Sequence, residues 1–232
     1  MIVRRIAFFD VDETLIDLKS MFSFRGFYFR QLWGQESGAK AERAAARRIE
    51  HQVLQGHERS TINTLFYEDF RDHQPELVSE AVETWYAQER ARPGFFIQPA
   101  LDALQAHQRC GDEVAFVSGS ATQFLAPLAA ELGVSHVLAN RLEMHRGRFT
   151  GQLIPPQTIG VGKRQAALSL MSELSAEPNN CFAYGDHLSD LPLLMSVGTP
   201  TVVARDPALI QHARQHGWPI LWPAIATQGG KP

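Results

Sequence analysis

Apolar positions along the chain fall into short blocks separated by longer stretches with helical spacing. Ile6-Ala-Phe-Phe9 is an apolar run of strand length, too short to span a membrane, and it ends in Asp10. Residues 113–117, 136–139, 181–184 and 201–204 predict further short strands. Helices are predicted over 99–108, 122–132, 163–171 and 207–216, with Gly133 at a C-terminal stop. Strands alternating with helices make a parallel sheet with right-handed crossovers. Residues 141–144 and 148–153, flanking His145-Arg-Gly147, predict a β-hairpin outside that sheet. The tail after Pro219 carries no clear pattern.

Between the first strand and Pro93-Gly94 the pattern is helical throughout. Residues 21–33 are densely aromatic, with Phe22, Phe29 and Trp33 near one helical spacing and Phe24, Phe27 and Tyr28 supplying a second set. Such an element packs between a core and a lid, or lines a pocket with Arg25 or Arg30 reaching a ligand. Residues 38–54, rich in Ala, Arg and Glu, predict a helix whose Arg43, Arg47 and Arg48 lie near Glu42 and Glu50. Helices follow over 61–70 and 75–90, the second opened by Pro75 and Glu76. The expected architecture is an α/β, Rossmann-like three-layer sandwich formed by residues 1–16 and 93–232, with residues 17–92 inserted as an all-helical cap.

Composition narrows the function classes. A net charge of -3 over 232 residues argues against a general nucleic-acid binder. Cys110 and Cys181 stand apart from each other and from any metal-spaced cluster. With no signal-like or membrane-length stretch, the expectation is a cytoplasmic protein without membrane partners, monomeric or homodimeric.

Candidate chemistry gathers at the strand ends. Asp10 and Asp12 are two apart in extended backbone, so both carboxylates face one site, and Thr14 adds a hydroxyl. Two crowded carboxylates need a cation, either a hard divalent metal such as Mg2+ or a Lys or Arg side chain. Ser118-Gly119-Ser120 follows the second strand, Asp186 and Asp190 follow a late one, and Lys163 opens a helix. A phosphate monoester would use the whole set. Asp10 serves as nucleophile, Asp12 as general acid and base, and Lys163 and Ser118 with the adjacent amides of Gly119 and Ser120 as charge stabilisers. Asp10, the main-chain carbonyl of Asp12 and Asp186 would hold the metal, and Asp190 would orient Lys163 or metal-bound water. Arg25, Arg47, Phe22, Phe24 and Phe29 are the candidate substrate contacts from the insertion, and His187 is either a substrate contact or a cap.

In these four segments the chain resembles the haloacid dehalogenase superfamily: Asp10-Val-Asp12-Glu-Thr14, Ser118 in Val-Ser-Gly-Ser, Lys163, and Gly-Asp186-His-Leu-Ser-Asp190. The position of the helical insertion is similar to the C1-type cap of the phosphoserine-phosphatase-like subfamily IB. The resemblance implies a Mg2+-dependent phosphatase for a small-molecule phosphate ester, working through an aspartyl-phosphate. Two departures weigh against phosphoserine itself: His187-Leu-Ser189 fills the middle of the fourth motif, and the insertion opens with aromatic side chains. Transfer to an alcohol acceptor would use the same intermediate, and a phospho-accepting signalling protein would use similar residues in a smaller chain.

Overall fold

The computed structural model describes residues 4–223. The first strand, β1 (Ile6–Phe9), has all four side chains fully buried and runs parallel to a neighbour on either side. The chain then enters α1 (Ser20–Leu54), α2 (Arg59–Tyr67), a 3-10 turn over Glu68–Phe70, and α3 (Pro75–Arg90). It returns through α4 (Gln98–Arg109) to β2 (Glu113–Ala121), α5 (Thr122–Glu131), β3 (His136–His145) and β4 (Arg148–Ile154). The last third comprises α6 (Val161–Glu173), β5 (Phe182–Gly185), α7 (Leu191–Leu194), β6 (Thr199–Val203), α8 (Pro207–His216) and β7 (Ile220–Leu221).

The strands form one sheet in the order β4-β3-β2-β1-β5-β6-β7, parallel except for the β3–β4 pair. Side chains alternate across it, as extended backbone requires. Ala7 and Phe9 join Leu101, Leu104 and Phe124 from α4 and α5 on one face. Ile6 and Phe8 meet Leu170, Leu194 and Leu209 from α6, α7 and α8 on the other. This is the expected three-layer α/β arrangement. Because β2 and β5 leave β1 in opposite directions, a crevice opens beyond the carboxyl end of β1, where ligands bind in such sheets.

Residues 21–33 and 38–54 form two helical arms, as expected, joined within α1 at Gly34, whose backbone (φ 79°, ψ 168°) is not helical and lets the second arm fold back on the first. The fold brings Glu42 within 2.8 Å of Arg25, and a Cβ on Gly38 would stand 2.4 Å from the Phe29 carbonyl oxygen, so only glycine lets the arms touch. The hairpin around Arg146-Gly147, expected outside the main sheet, is continuous with it, because β3 pairs with β2 at its start and with β4 at its end. It also carries the insertion: Asp72 N–H donates to the Phe149 carbonyl (2.8 Å) and Phe149 N–H to the His73 carbonyl (3.0 Å). The tail adds β7, too short and too lightly apolar to stand out as a strand. The two linkers of the insertion run side by side, with Asp17 N–H on the Phe95 carbonyl and Ile97 N–H on that of Leu15.

Candidate active site

Directly after β1 the chain turns through Val11 and Glu13, the latter at φ 61°, and this sharp turn keeps Asp10 and Asp12 at the mouth of the crevice. Asp10 Oδ1 accepts from Lys163 Nζ at 2.6 Å, and the same ammonium donates to Asp190 Oδ1 at 2.7 Å. Thr14 Oγ1 lies 3.0 Å from Asp186 Oδ1 and 3.2 Å from Asp10 Oδ2, bridging the two acids from beneath. Asp190 Oδ2 accepts from the amides of Asp186 (3.3 Å) and His187 (3.2 Å), which ties the fourth motif into a tight turn. Gly185 makes room for it: a Cβ there would meet that of Asp190 at 2.7 Å.

Asp12 is held differently. Its Oδ2 accepts from both the backbone N–H and the hydroxyl of Ser20, each at 3.0 Å, at the first turn of α1. Its Oδ1 is buried and has no hydrogen-bond partner. Ser20 Oγ is 2.9 Å from Ser120 Oγ, and Ser118 Oγ accepts from the Ser120 amide at 3.0 Å. The register shift of β2 between Ser118 and Ala121 lifts this segment out of the regular ladder. Asn140 then fastens it, donating to the Gly119 carbonyl at 2.7 Å and accepting from the Thr158 amide at 2.8 Å; Tyr67 donates to the same carbonyl from the insertion.

The electrostatics follow from four carboxylates, Asp10, Asp12, Asp186 and Asp190, gathered around one ammonium. Burial pushes Asp10 above the ordinary carboxylate range, with Lys163 opposing. Burial, and then the charge of Asp10, push Asp12 up to about 7. The same two causes, with Asp190, push Asp186 up to about 9. Burial pulls the Lys163 ammonium down, but Asp10 and Asp190 outweigh this and hold it above its usual value. Carboxyl groups that burial and then mutual repulsion hold above their ordinary range stand in a site short of positive charge. Oxygens of Asp10, Asp186 and Asp190 all lie within 4.8 Å of one another. Asp190 is committed to the Lys163 ammonium and to two backbone amides, whereas Asp186 accepts from Thr14 alone and with Asp10 makes the pair suited to a hard divalent cation.

Asp10, Asp12, Ser118, Gly119, Ser120, Lys163, Asp186, His187 and Asp190 all line one cavity of about 490 Å3 between the sheet edge and the insertion. Thr14 is fully buried beneath its floor. Two expected contacts from the insertion are not brought there. Arg25 is fully buried and spends its guanidinium on Glu42 (2.8 and 3.0 Å) and Asp69 (3.0 Å), because a cation out of reach of water must be paired. Arg47 is exposed on the outer side of α1, donating to the Arg43 carbonyl. Phe24 and Phe29 are core residues, whereas Phe22 does line the cavity. His187 is a cap, accepting from the Ser189 amide (3.0 Å), and its side chain also lines the cavity. Arg59 Nη1 approaches it at 2.7 Å from across the opening, and burial followed by this guanidinium pull its pKa down.

Ser20, Arg59, Tyr67 and Asn140 belong to the site but carry no signal in sequence. Each reaches it from an element whose position is set by tertiary packing, at no fixed spacing from the motifs.

Residues 7–195 match the family model of haloacid dehalogenase-like hydrolases. A probable phosphatase of Mycobacterium tuberculosis is 29% identical over 228 residues, covering 94% of this chain and 75% of that protein. A phosphoserine phosphatase of the same organism is 28% identical over 233 residues, covering 92% and 69%. The fold superposes on a Bordetella pertussis protein of unknown function with a TM-score of 0.84 at 24% identity, covering 95% of this chain and 99% of the other. Motif order, sheet topology and the matched span agree, and the chain belongs to the haloacid dehalogenase-like hydrolases, in their phosphoserine-phosphatase-like branch.

Proposed function

We propose that the chain hydrolyses a small phosphate monoester through an aspartyl-phosphate on Asp10, with Mg2+ as cofactor and residues 17–92 acting as a cap. One observation carries this reading. Asp12 has one oxygen anchored by Ser20 and the other buried, unpartnered, in the cavity that Asp10 lines. A carboxyl group so arranged has a fixed direction and a free oxygen for a proton, which is what a general acid and base needs.

In the first step the Asp10 carboxylate attacks phosphorus, the bond from phosphorus to the ester oxygen breaks, and Asp12 gives that oxygen its proton. In the second, Asp12 takes a proton from water as the water attacks phosphorus, the bond to Asp10 breaks, and inorganic phosphate leaves. Ser118 accepts from the Ser120 amide, so its own proton is free to donate to a phosphoryl oxygen. Lys163, paired to Asp10 and Asp190, stays charged and offsets the negative charge that builds up at phosphorus. Asp190 acts through Lys163 as a positioning residue. Asp10, the main-chain carbonyl of Asp12 and Asp186 would hold Mg2+, which supplies charge neutralisation at the phosphoryl oxygens when bound. The names of the relatives, phosphatases among them, support the same class of reaction.

Asp10→Asn tests the assignment. Phosphate release over a panel of sugar, amino-acid and alkyl monoesters falls at least about a thousandfold while the circular dichroism spectrum and Tm stay near wild type. A variant that keeps its rate refutes the nucleophile.

A further inference from the structure

The floor of the cavity is charged, whereas six apolar side chains form much of its wall. Above Asp10 and Asp12 stand Met21 and Phe22 from the first arm of α1, Ile49 and Val53 from the second, and Ile62 and Phe66 from α2. Phe22 and Phe66 meet edge to face with ring centroids 5.5 Å apart. The Arg25 guanidinium is stacked against them, 4.9 Å from the Phe66 ring centre and 5.5 Å from that of Phe22, with Glu42 and Asp69 cancelling its charge. It stiffens an aromatic wall and presents nothing polar to a ligand.

Lys19, His57 and Arg59 supply the cationic and imidazole groups of the insertion at the rim, and among the described residues Arg59 has no carboxylate partner. Lys19 pairs with Glu13 at 3.2 Å, and Arg59 is held against His187. Asn63, the polar wall residue between Ile62 and Phe66, donates to Gln157. Among the described residues, no Asp or Glu of the helical insertion lines the cavity. An ammonium group on a bound ester would enter the apolar section without a counter-ion, and burying an unpaired charge is strongly unfavourable. An apolar group there would instead exchange water for six hydrocarbon or aromatic side chains. The volume, about 490 Å3, exceeds what a phosphoryl group on a three-carbon chain fills.

We infer that the substrates are phosphate monoesters of an uncharged, apolar alcohol, with the hydrocarbon body lodged between the two arms of α1 and α2, and that zwitterionic amino-acid phosphates are disfavoured. This rests on the hydrolytic reading above. Phe22, Ile49, Ile62 and Phe66 are then the specificity residues, and Arg25 is a positioning residue that acts through the two rings.

The test compares benzyl phosphate with O-phosphoserine, both esters of primary alkyl alcohols, so intrinsic reactivity does not decide the outcome. With Mg2+ present, kcat/KM for benzyl phosphate is expected to be at least about tenfold higher, the advantage that modest apolar contacts give. Ile62→Asn is expected to shrink that ratio toward one by lowering kcat/KM for benzyl phosphate several-fold more than that for O-phosphoserine; an unchanged ratio overturns the inference. Equal or reversed preference in the wild-type protein overturns the inference and leaves the phosphatase reading standing. Binding is measured separately by calorimetry, with benzylphosphonate and 2-aminoethylphosphonate as probes that cannot be hydrolysed. Benzylphosphonate is expected to bind at least about tenfold tighter, with a negative heat-capacity change from apolar burial. Comparable affinities overturn the inference whether or not any ester is turned over. Tighter benzylphosphonate binding without phosphate release from any ester would sustain the pocket's preference and remove the hydrolytic assignment.

Discussion

Ser20 illustrates how much one side chain outside the motifs contributes. Its hydroxyl reaches Asp12 on one side and Ser120 on the other, and so links the proposed acid/base residue to the segment proposed to face the phosphoryl group. Removing that hydroxyl leaves the backbone N–H of Ser20 on Asp12 but frees the carboxyl group to rotate. Ser20→Ala is expected to lower kcat about tenfold with little change in KM, since the loss falls on proton transfer in the transition state, and Ser20→Thr is expected to restore most of it. Steady-state kinetics on both variants check this; a change confined to KM would assign Ser20 to substrate binding instead. Arg25 makes the complementary point, for a charged residue in an aromatic helix invites a ligand role, yet here its three hydrogen bonds all go to Glu42 and Asp69.

At the scale of elements, the folded α1 decides the shape of the cavity. Its first arm brings Met21 and Phe22 to one wall and its second brings Ile49 and Val53 to another. The turn is set by Gly34 at positive φ and closed by Gly38 pressed on the backbone of Phe29 and Arg30. A methyl group on Gly38 has nowhere to go, because the obstructing atoms are main chain. Gly38→Ala is expected to cost about 1–3 kcal/mol, the usual range for overpacking, visible as a lower denaturation midpoint. Gly56→Ala is the control: a Cβ there meets nothing within 4 Å, and only its positive φ opposes the change. If Gly38→Ala were as stable as wild type, the close approach of the two arms would be wrong.

On the scale of the whole molecule, the sheet collects acids from β1 and the β5 end at one crevice, and the stability of the protein should register their mutual repulsion. In metal-free protein the native state holds a proton on Asp186 up to about pH 9, which the unfolded chain releases in the ordinary carboxylate range. The native state therefore binds more protons, and stability is expected to fall as pH rises across that window. Asp186→Asn is expected to flatten the slope between about pH 7 and 9, leaving below it the part that Asp12, pushed up to about 7, contributes. Mg2+ is expected to raise Tm with increasing concentration, by an amount equivalent to about 2.7 kcal/mol at a hundredfold excess over Kd, and to do so far less in Asp186→Asn. Differential scanning fluorimetry at several pH values and Mg2+ concentrations measures both, and an equal Mg2+ response in the two proteins would argue against a metal between Asp10 and Asp186.

The same scale separates what was legible in the chain from what was not. Apolar runs ending in Asp10, Ser118 and Asp186, with helices between them, were enough to foresee a parallel α/β sheet, a helical insertion and the charged floor of the site. These are local patterns: strand alternation and motif spacing are properties of neighbouring residues, and a parallel sheet brings its carboxyl ends together whatever lies elsewhere. The hairpin's continuity with the sheet, the reversal of α1 at Gly34, the burial of Arg25 and the contributions of Ser20, Arg59 and Asn140 depended on contacts between segments far apart in the chain. Their partners are chosen by packing and by the need to pair buried charge, so no spacing in the sequence announces them. The groups proposed to react were thus written in the chain, whereas the walls of the cavity above them were decided only when the helices closed over it.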